Sequence, residues 1–294
     1  MATLRDIRTR IASVKNTRQI TNAMKMVSAA KLRRATESAT SARPYQQTLT
    51  LTLRRVAAGA GDIEHPLLTS RDVVKKVLVI VVTSDRGLCG GFNGTLNRRT
   101  EDFIKKQRVA HHDVALRMYG RKSKDYFKSR GFANSIARTD LIRAQFADEA
   151  AVLAGELTTE FEAGGFDEAW IAFNQFKSVI AQVPTFNRVL PLSIETVVAA
   201  GEAASADGAS ADYLYEPSGE SLLGALLPMY LRTLLLQAFL ETEAGEQAAR
   251  MTAMDNATRN ASDLISALTL EYNRGRQAAI TKELIEIVSG AEAL

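Results

Sequence analysis

Met251-Thr252-Ala253-Met254-Asp255-Asn256-Ala257-Thr258-Arg259-Asn260-Ala261-Ser262-Asp263-Leu264-Ile265-Ser266-Ala267-Leu268-Thr269-Leu270-Glu271-Tyr272 is the stretch that decides the architecture. Within it Met251, Met254, Thr258, Ala261, Ile265, Leu268 and Tyr272 recur at alternating spacings of three and four, the heptad seam of a left-handed coiled coil. The surrounding run from 229 to 289 has no proline and carries helix formers almost throughout. At about 1.5 Å per residue such a helix is roughly 90 Å long. A compact chain of 294 residues has a radius of gyration of only about 19 Å, so the helix is expected to project as a rod. A heptad seam also needs a partner helix. Leu4, Ile7, Ile11 and Val14 repeat the spacing at the other end of the chain, and after a drift of register Ile20, Met24 and Val27 resume it. The two termini are therefore expected to pair antiparallel.

Between the helices the periodicity changes. Val77-Leu78-Val79-Ile80-Val81-Val82 is an unbroken apolar run of strand length, rich in β-branched residues, which suits a strand covered on both faces. A glycine-rich turn and a helix over 93–106 follow, then a strand over 114–119, helices over 122–129 and 148–161, and a strand over 168–176. This alternation predicts an α/β domain with a mainly parallel sheet. Val183–Thr185, Val189–Ile194 and Asp212–Pro217 read as antiparallel strand pieces, and 199–211, made of Ala, Gly, Ser and acids, reads as a mobile loop. Pro44 is expected to bend or break the first helix, which should end near Gly59 and Gly61. The fold class is α/β: a long antiparallel coiled coil of N- and C-terminal helices with an inserted Rossmann-like α/β domain. Its parts are a coiled-coil helix over 1–60, the α/β domain over 75–217, and a second coiled-coil helix over 220–290 that pairs with the first.

Composition fits one ordinary domain with something extended beside it: 46% hydrophobic and 24% charged residues are globular values, and the thin 6% of aromatics suits much helix surface. The single cysteine, Cys89, excludes an internal disulfide and suits a reducing compartment. No signal-peptide pattern opens the chain. Leu222–Leu240 comes nearest to a membrane span, but Pro228, Arg232 and Gln237 interrupt it, so no direct span is expected.

The net charge of +4 is unevenly placed, because residues 1–43 hold ten basic side chains against Asp6 and Glu37. Charge alone leaves three readings open: a nucleic-acid-binding helix, a solvated face, or a shaft inside a collar of acidic protein surfaces. Other chemistry is thinly supported. The turn Thr83–Gly94 follows a buried strand and precedes a helix, as phosphate-binding loops do. Its glycines at 87, 90, 91 and 94 nevertheless match neither dinucleotide nor P-loop spacing. Cys89 lacks an evident basic partner, since His65, His111 and His112 fall in connections. No metal-ligand spacing and no acid/base pair stands out, so neither cofactor, metal nor catalytic residue is expected. Methionines at helical spacing read first as seam fillers.

Certain segments are more specific. Asp6–Thr17, Ile20–Val27, Ser84-Asp85-Arg86-Gly87-Leu88-Cys89-Gly90-Gly91, Glu246–Met251 and Arg274–Thr281, with Glu283-Leu284 and Glu286–Gly290, occur in this order over essentially the whole chain. In them the chain resembles the γ subunit of the F-type ATP synthase, bacterial type. The resemblance implies a non-catalytic central rotor shaft that couples proton-driven c-ring rotation to ATP synthesis or hydrolysis. The active sites would lie on β subunits. The implied partners are three α and three β subunits around the terminal helices, the ε subunit and the membrane c-ring, at the cytoplasmic face of the bacterial inner membrane. Nucleic acid is then disfavoured, and the basic N-terminal helix fits the acidic collar.

Residue by residue, Arg276 and Gln277 match the family's polar pair that contacts a β-subunit loop. Met24 matches a shaft position near an acidic β segment, with Lys25, Arg8 and Arg10 adding attraction. Tyr213 and Glu216 match the foot that faces the c-ring. The seam would comprise Leu4, Ile7, Ile11, Val14, Met251, Met254, Ile265 and Leu268. The inserted cysteine-pair segment of light-regulated chloroplast members is absent, so thiol control is not expected.

Overall fold

A computed structural model describes residues 3–59, 65–110, 113–132, 135–192 and 218–292. The chain divides into two compact units, one of Met1–Ala30 with Arg250–Leu294, the other Lys31–Ala249. Helix α1 (Leu4–Gly59) and helix α5 (Gly219–Glu292) each contribute a stretch to both.

The start of α1 is chemically specified. The Thr3 hydroxyl accepts the Asp6 amide at 3.2 Å while the Asp6 carboxylate accepts the Thr3 amide at 3.0 Å, a reciprocal cap for two amides that have no partner within the helix. In the first unit α1 and α5 run antiparallel. Leu4 lies beside Gly275, the Thr21 and Thr258 hydroxyls are 2.8 Å apart, and Lys25 Nζ donates to Asp255 at 2.6 Å, so numbers rise along one helix as they fall along the other.

The second unit is built on a five-stranded sheet. Strands β1 (Lys76–Val82), β2 (Asp113–Tyr119), β3 (Ile136–Arg138), β4 (Glu168–Phe176) and β5 (Gln182–Leu190) lie in the order β3-β2-β1-β4-β5. All neighbours are parallel except β4 and β5. Strand alternation explains why β1 reads as an unbroken apolar run. Leu78, Ile80 and Val82 join one core cluster, and Val77, Val79 and Val81 join the other. The first cluster is closed by α4 (Phe146–Glu162) and by the apolar faces of α1 (Leu49, Leu53, Val56) and α5. The second is closed by α2 (Phe92–Val109) and α3 (Arg121–Lys128) through Leu96, Ile104 and Phe127.

Several expectations need correction. Pro44 does not break α1, which continues through it to Gly59. Leu32 and Ala35 before Pro44 are buried, and Leu49 and Leu53 after it join the sheet's core, so both sides of the proline are anchored, and that packing outweighs a cost of about 3 kcal/mol for an interior proline. The piece expected at 183–185 and the first two residues of the one expected at 189–194 are parts of one strand, β5, whose pairing with β4 carries it through the polar residues between; Pro191 and Leu192 lie beyond its end, and 193–194 lie outside the described residues. The short edge strand β3 has too little pattern to be read from sequence. The stretch 199–211 and the strand piece 212–217 lie outside the described residues. A window of α5 is apolar and long enough to cross a membrane by composition. In this unit, however, Leu223, Leu227, Leu231, Leu235 and Phe239 are buried in the sheet's core.

Candidate functional site

The place where an open α/β sheet binds ligands is the crevice beyond the carboxyl ends of its strands, at the point where the strand order reverses. Here that point lies between β1 and β4, and the glycine-rich turn Thr83–Gly91 stands at its edge. The turn's polar groups bond to one another. Asn93 accepts the Ser84 amide at 3.0 Å and donates to the Ser84 hydroxyl at 2.7 Å and to Cys89 Sγ at 3.2 Å. Asp85 accepts the amides of Arg121 and Asp140 at 2.8 and 3.0 Å. Cys89 is buried, so its thiol is part of the packing. Behind the turn the backbone of Gly120 approaches Thr83 so closely that a Cβ would sit 2.2 Å from the Thr83 carbonyl oxygen, at a φ of +97° that L side chains rarely adopt.

The crevice itself is occupied by the chain. Asn174 of β4 donates to the Phe92 carbonyl at the head of α2, and Glu241 of α5 accepts the Phe176 amide at 3.2 Å. At Gly245 the backbone of α5 lies against the Phe92 ring, where a Cβ would come within 2.9 Å of the ring edge. A nucleotide would need the volume that α5 fills.

The paired stretches of α1 and α5 in the first unit form the second candidate surface. On α5, Met254, Ala261 and Leu268 are buried, while Met251, Thr258, Ile265 and Tyr272 are half-buried. On α1, Ile7 is buried and Leu4, Ile11 and Val14 are half-buried. Beyond Val14 the register differs from the expectation. Ile20 and Val27 are exposed, at 61% and 56%, and the inward positions are Thr21 and Ser28. These continue the spacing of Ile7, Ile11 and Val14 without a drift. Polar pairing makes this possible, since Thr21 meets Thr258 and Lys25 meets Asp255 across the interface. Once an antiparallel helix supplies matched polar partners, keeping the heptad costs less than shifting every other layer.

The side chains singled out for contact are dispersed. Arg276 and Gln277 are exposed, and neither makes an ion pair among the described residues. Met24 is half-buried. The Lys25 ammonium is engaged by Asp255, which also pairs with Arg259. Bonding from Lys25 first and Arg259 second holds the Asp255 carboxyl below the usual range. Arg8 and Arg10 are exposed. Tyr213 and Glu216 lie outside the described residues.

Sequence reasoning missed the polar staples of the α/β unit. Asp167, next to β4, accepts the Lys75 and Lys76 amides at 2.7 and 2.8 Å and an Arg71 N–H at 2.7 Å. Burial opposes its charge, yet those donors keep its carboxyl below the ordinary value. Arg117, buried on β2, pairs with Glu156 and Glu160 of α4, and Arg138 of β3 pairs with Glu149 and Glu156. A signal was present: an arginine between Leu116 and Met118 in a strand demands carboxylates, and Glu149, Glu156 and Glu160 share one face of α4.

The family model described as ATP synthase matches residues 3–294. The chain is 49% identical over 300 residues to the ATP synthase gamma chain of Anaeromyxobacter sp. (strain Fw109-5), covering 100% of each. It is 46% identical over 299 residues to that of Trichlorobacter lovleyi, covering 100% of this chain and 99% of the relative. Among solved structures, the central stalk/c-ring of the Tetrahymena thermophila mitochondrial ATP synthase matches with a TM-score of 0.58 and 25% identity, over 81% of this chain and 99% of that one. The rotor of the Euglena gracilis enzyme, at 22% identity and a TM-score of 0.63 over 94% of this chain and 98% of that one, shares the fold.

Proposed function

The chain belongs to the family of ATP synthase gamma chains, and on that premise we propose that it is the non-catalytic central shaft of such a synthase. It turns with a membrane c-ring inside three α and three β subunits, which hold the active sites. The observation that carries this reading is the filled crevice: the position beyond the strand ends, where open α/β sheets bind ligands, is taken by the chain's own helix α5 at Glu241 and Gly245. A unit that blocks its own ligand position serves as a mount.

The mechanism follows from asymmetry. Two helices joined through a narrow seam present different residues on each side: Ile20, Met26 and Val27 on the open face of α1, Leu264 and Leu270 on that of α5. A shaft with unlike faces inside a three-fold ring makes different contacts with each β subunit. It can bias one nucleotide site open and others closed only by that difference in contact free energy. Rotation moves the bias around the ring. Arg276 and Gln277, exposed and without an ion pair among the described residues, are the groups proposed to bind a β loop, the guanidinium offering a planar fork of donors. Met24 adds an apolar contact, and Lys25, neutralised by Asp255, adds less attraction than its charge suggests. Tyr213 and Glu216 are proposed to meet the c-ring, with ε beside them, at the cytoplasmic face of a bacterial inner membrane.

The test is ATP turnover by α and β subunits with and without this chain and with an Arg276→Ala, Gln277→Ala variant. Sustained assembly and turnover that the variant impairs supports the shaft and its β contact. A chain that neither joins the ring nor alters its activity overturns both.

A further inference from the structure

Within the α/β unit, α1 and α5 do not close completely on each other. Ala39 and Ala42 present little bulk to Leu236 and Leu240, and a cavity of about 350 Å³ remains between the helices. Its floor is hydrocarbon. Tyr45 and Met229 at its rim are 54% and 46% exposed. One arginine stands on each helix beside it, Arg43 and Arg232, both exposed and neither with an ion pair or hydrogen bond among the described residues. The lining carboxylate, Glu241, forms no ion pair with either among the described residues: it is buried and accepts from Gln237 Nε2 at 2.7 Å and from the Phe176 amide. Gln46 donates to Gln237 at 2.5 Å, tying the two helices across the same gap.

We propose that this groove is a docking site for an acidic-apolar segment of a partner polypeptide, whose large apolar side chain enters between the alanines while a neighbouring carboxylate is held by Arg43 and Arg232. Charge complementarity selects the acid, since the rim carries two arginines and, among the described residues, neither has an ion pair. Composition selects a polypeptide, since tyrosine, arginine and methionine around an apolar pocket are enriched where proteins bind one another. The inference rests on the shaft reading only in taking the partner from the same assembly.

The experiment uses the assembled synthase with p-benzoylphenylalanine in place of Tyr45, irradiated and analysed by peptide mass spectrometry. The expected product joins this chain to one partner subunit, at a peptide with Asp or Glu within a few residues of a large apolar side chain. Arg43→Glu with Arg232→Glu should lower its yield by about tenfold or more, and changing the partner's acid to Lys should restore it. Ala42→Leu, which fills the groove with a good helix former, should abolish the product without changing the thermal midpoint of the free chain. A cross-link insensitive to the charge reversal, one to an acid-free peptide, or an adduct with lipid or a small amphiphile overturns the proposal while the shaft reading stands. A wild-type chain that never enters the assembly overturns the shaft reading and the docking site together.

Discussion

Along α5, residues 223–239 bury Leu223, Leu227, Tyr230, Leu231, Leu235 and Phe239, whereas 254–268 bury only Met254, Ala261 and Leu268. The first stretch lies on a sheet and turns a broad stripe inward; the second meets a single helix through a seam one or two side chains wide. At about 1.5–3 kcal/mol for each fully buried large apolar side chain, the sheet-bound stretch has several-fold more hydrophobic stabilisation to draw on. The helix pair depends more on matched polar layers, and it keeps most of its circumference free for partners. One helix thus serves as core in one unit and as contact surface in the other.

The largest effect is expected where a polar staple leaves the well-packed unit. Asp167→Ala should destabilise the full chain by about 3 kcal/mol, because two strand amides and the Arg71 guanidinium lose their acceptor together; urea unfolding followed by circular dichroism measures it. A loss below about 1 kcal/mol would mean that water replaces the carboxylate at little cost.

A matched pair of substitutions on α5 comes next. Gly245→Ala drives a methyl into the buried Phe92 ring and should cost about 1–3 kcal/mol. Gly275→Ala, in the helix pair, meets only the movable end of Leu4 at 3.0 Å. A gain of up to about 1 kcal/mol in helix propensity offsets that contact, leaving a net change within roughly 0.5 kcal/mol. The two urea midpoints decide whether the units differ in tolerance, and equal effects would remove the distinction drawn here.

The smallest effect is electrostatic and confined to the helix pair. Asp255 has a folded-state value below its unfolded one, so its contribution is complete above about pH 4, the unfolded carboxylate value, and is lost as pH falls through the folded value. Hydrogen exchange around Thr21–Ser28, corrected for intrinsic chemistry, should lose protection below about pH 4 and stay level from about pH 5 to 7. Asp255→Asn should flatten that dependence. If the variant titrates like the wild type, Lys25–Asp255 is not what holds this layer.

The apolar run at β1 and the heptads from Ile7 to Val14 and from Met251 to Tyr272 were legible because each pattern repeats within a few residues, at the period of the element it forms. The turn Ser84–Gly91 with the flanking helix motifs was enough to indicate the family. Beyond Val14 the same reasoning chose Ile20 and Val27, since apolar residues usually face inward. Nothing local says that Thr21 has a threonine waiting 237 positions away. The Asp167 staple escaped for the same reason, as its donors are contributed by the segment leading into β1.

Local pattern was enough for the two long helices, for strands β1, β2 and β4 and their order, for the antiparallel return of the chain and for the exposed charge of its first helix, because periodicity and composition are properties of neighbouring residues. Packing over long sequence distances settled that the seam keeps its register through Thr21 and Ser28, that α5 plugs the crevice between β1 and β4, and that Ala39 and Ala42 leave a groove beside Arg43 and Arg232. Each of those depends on which distant side chain supplies a hydrogen bond or fills a volume, and that is set by packing.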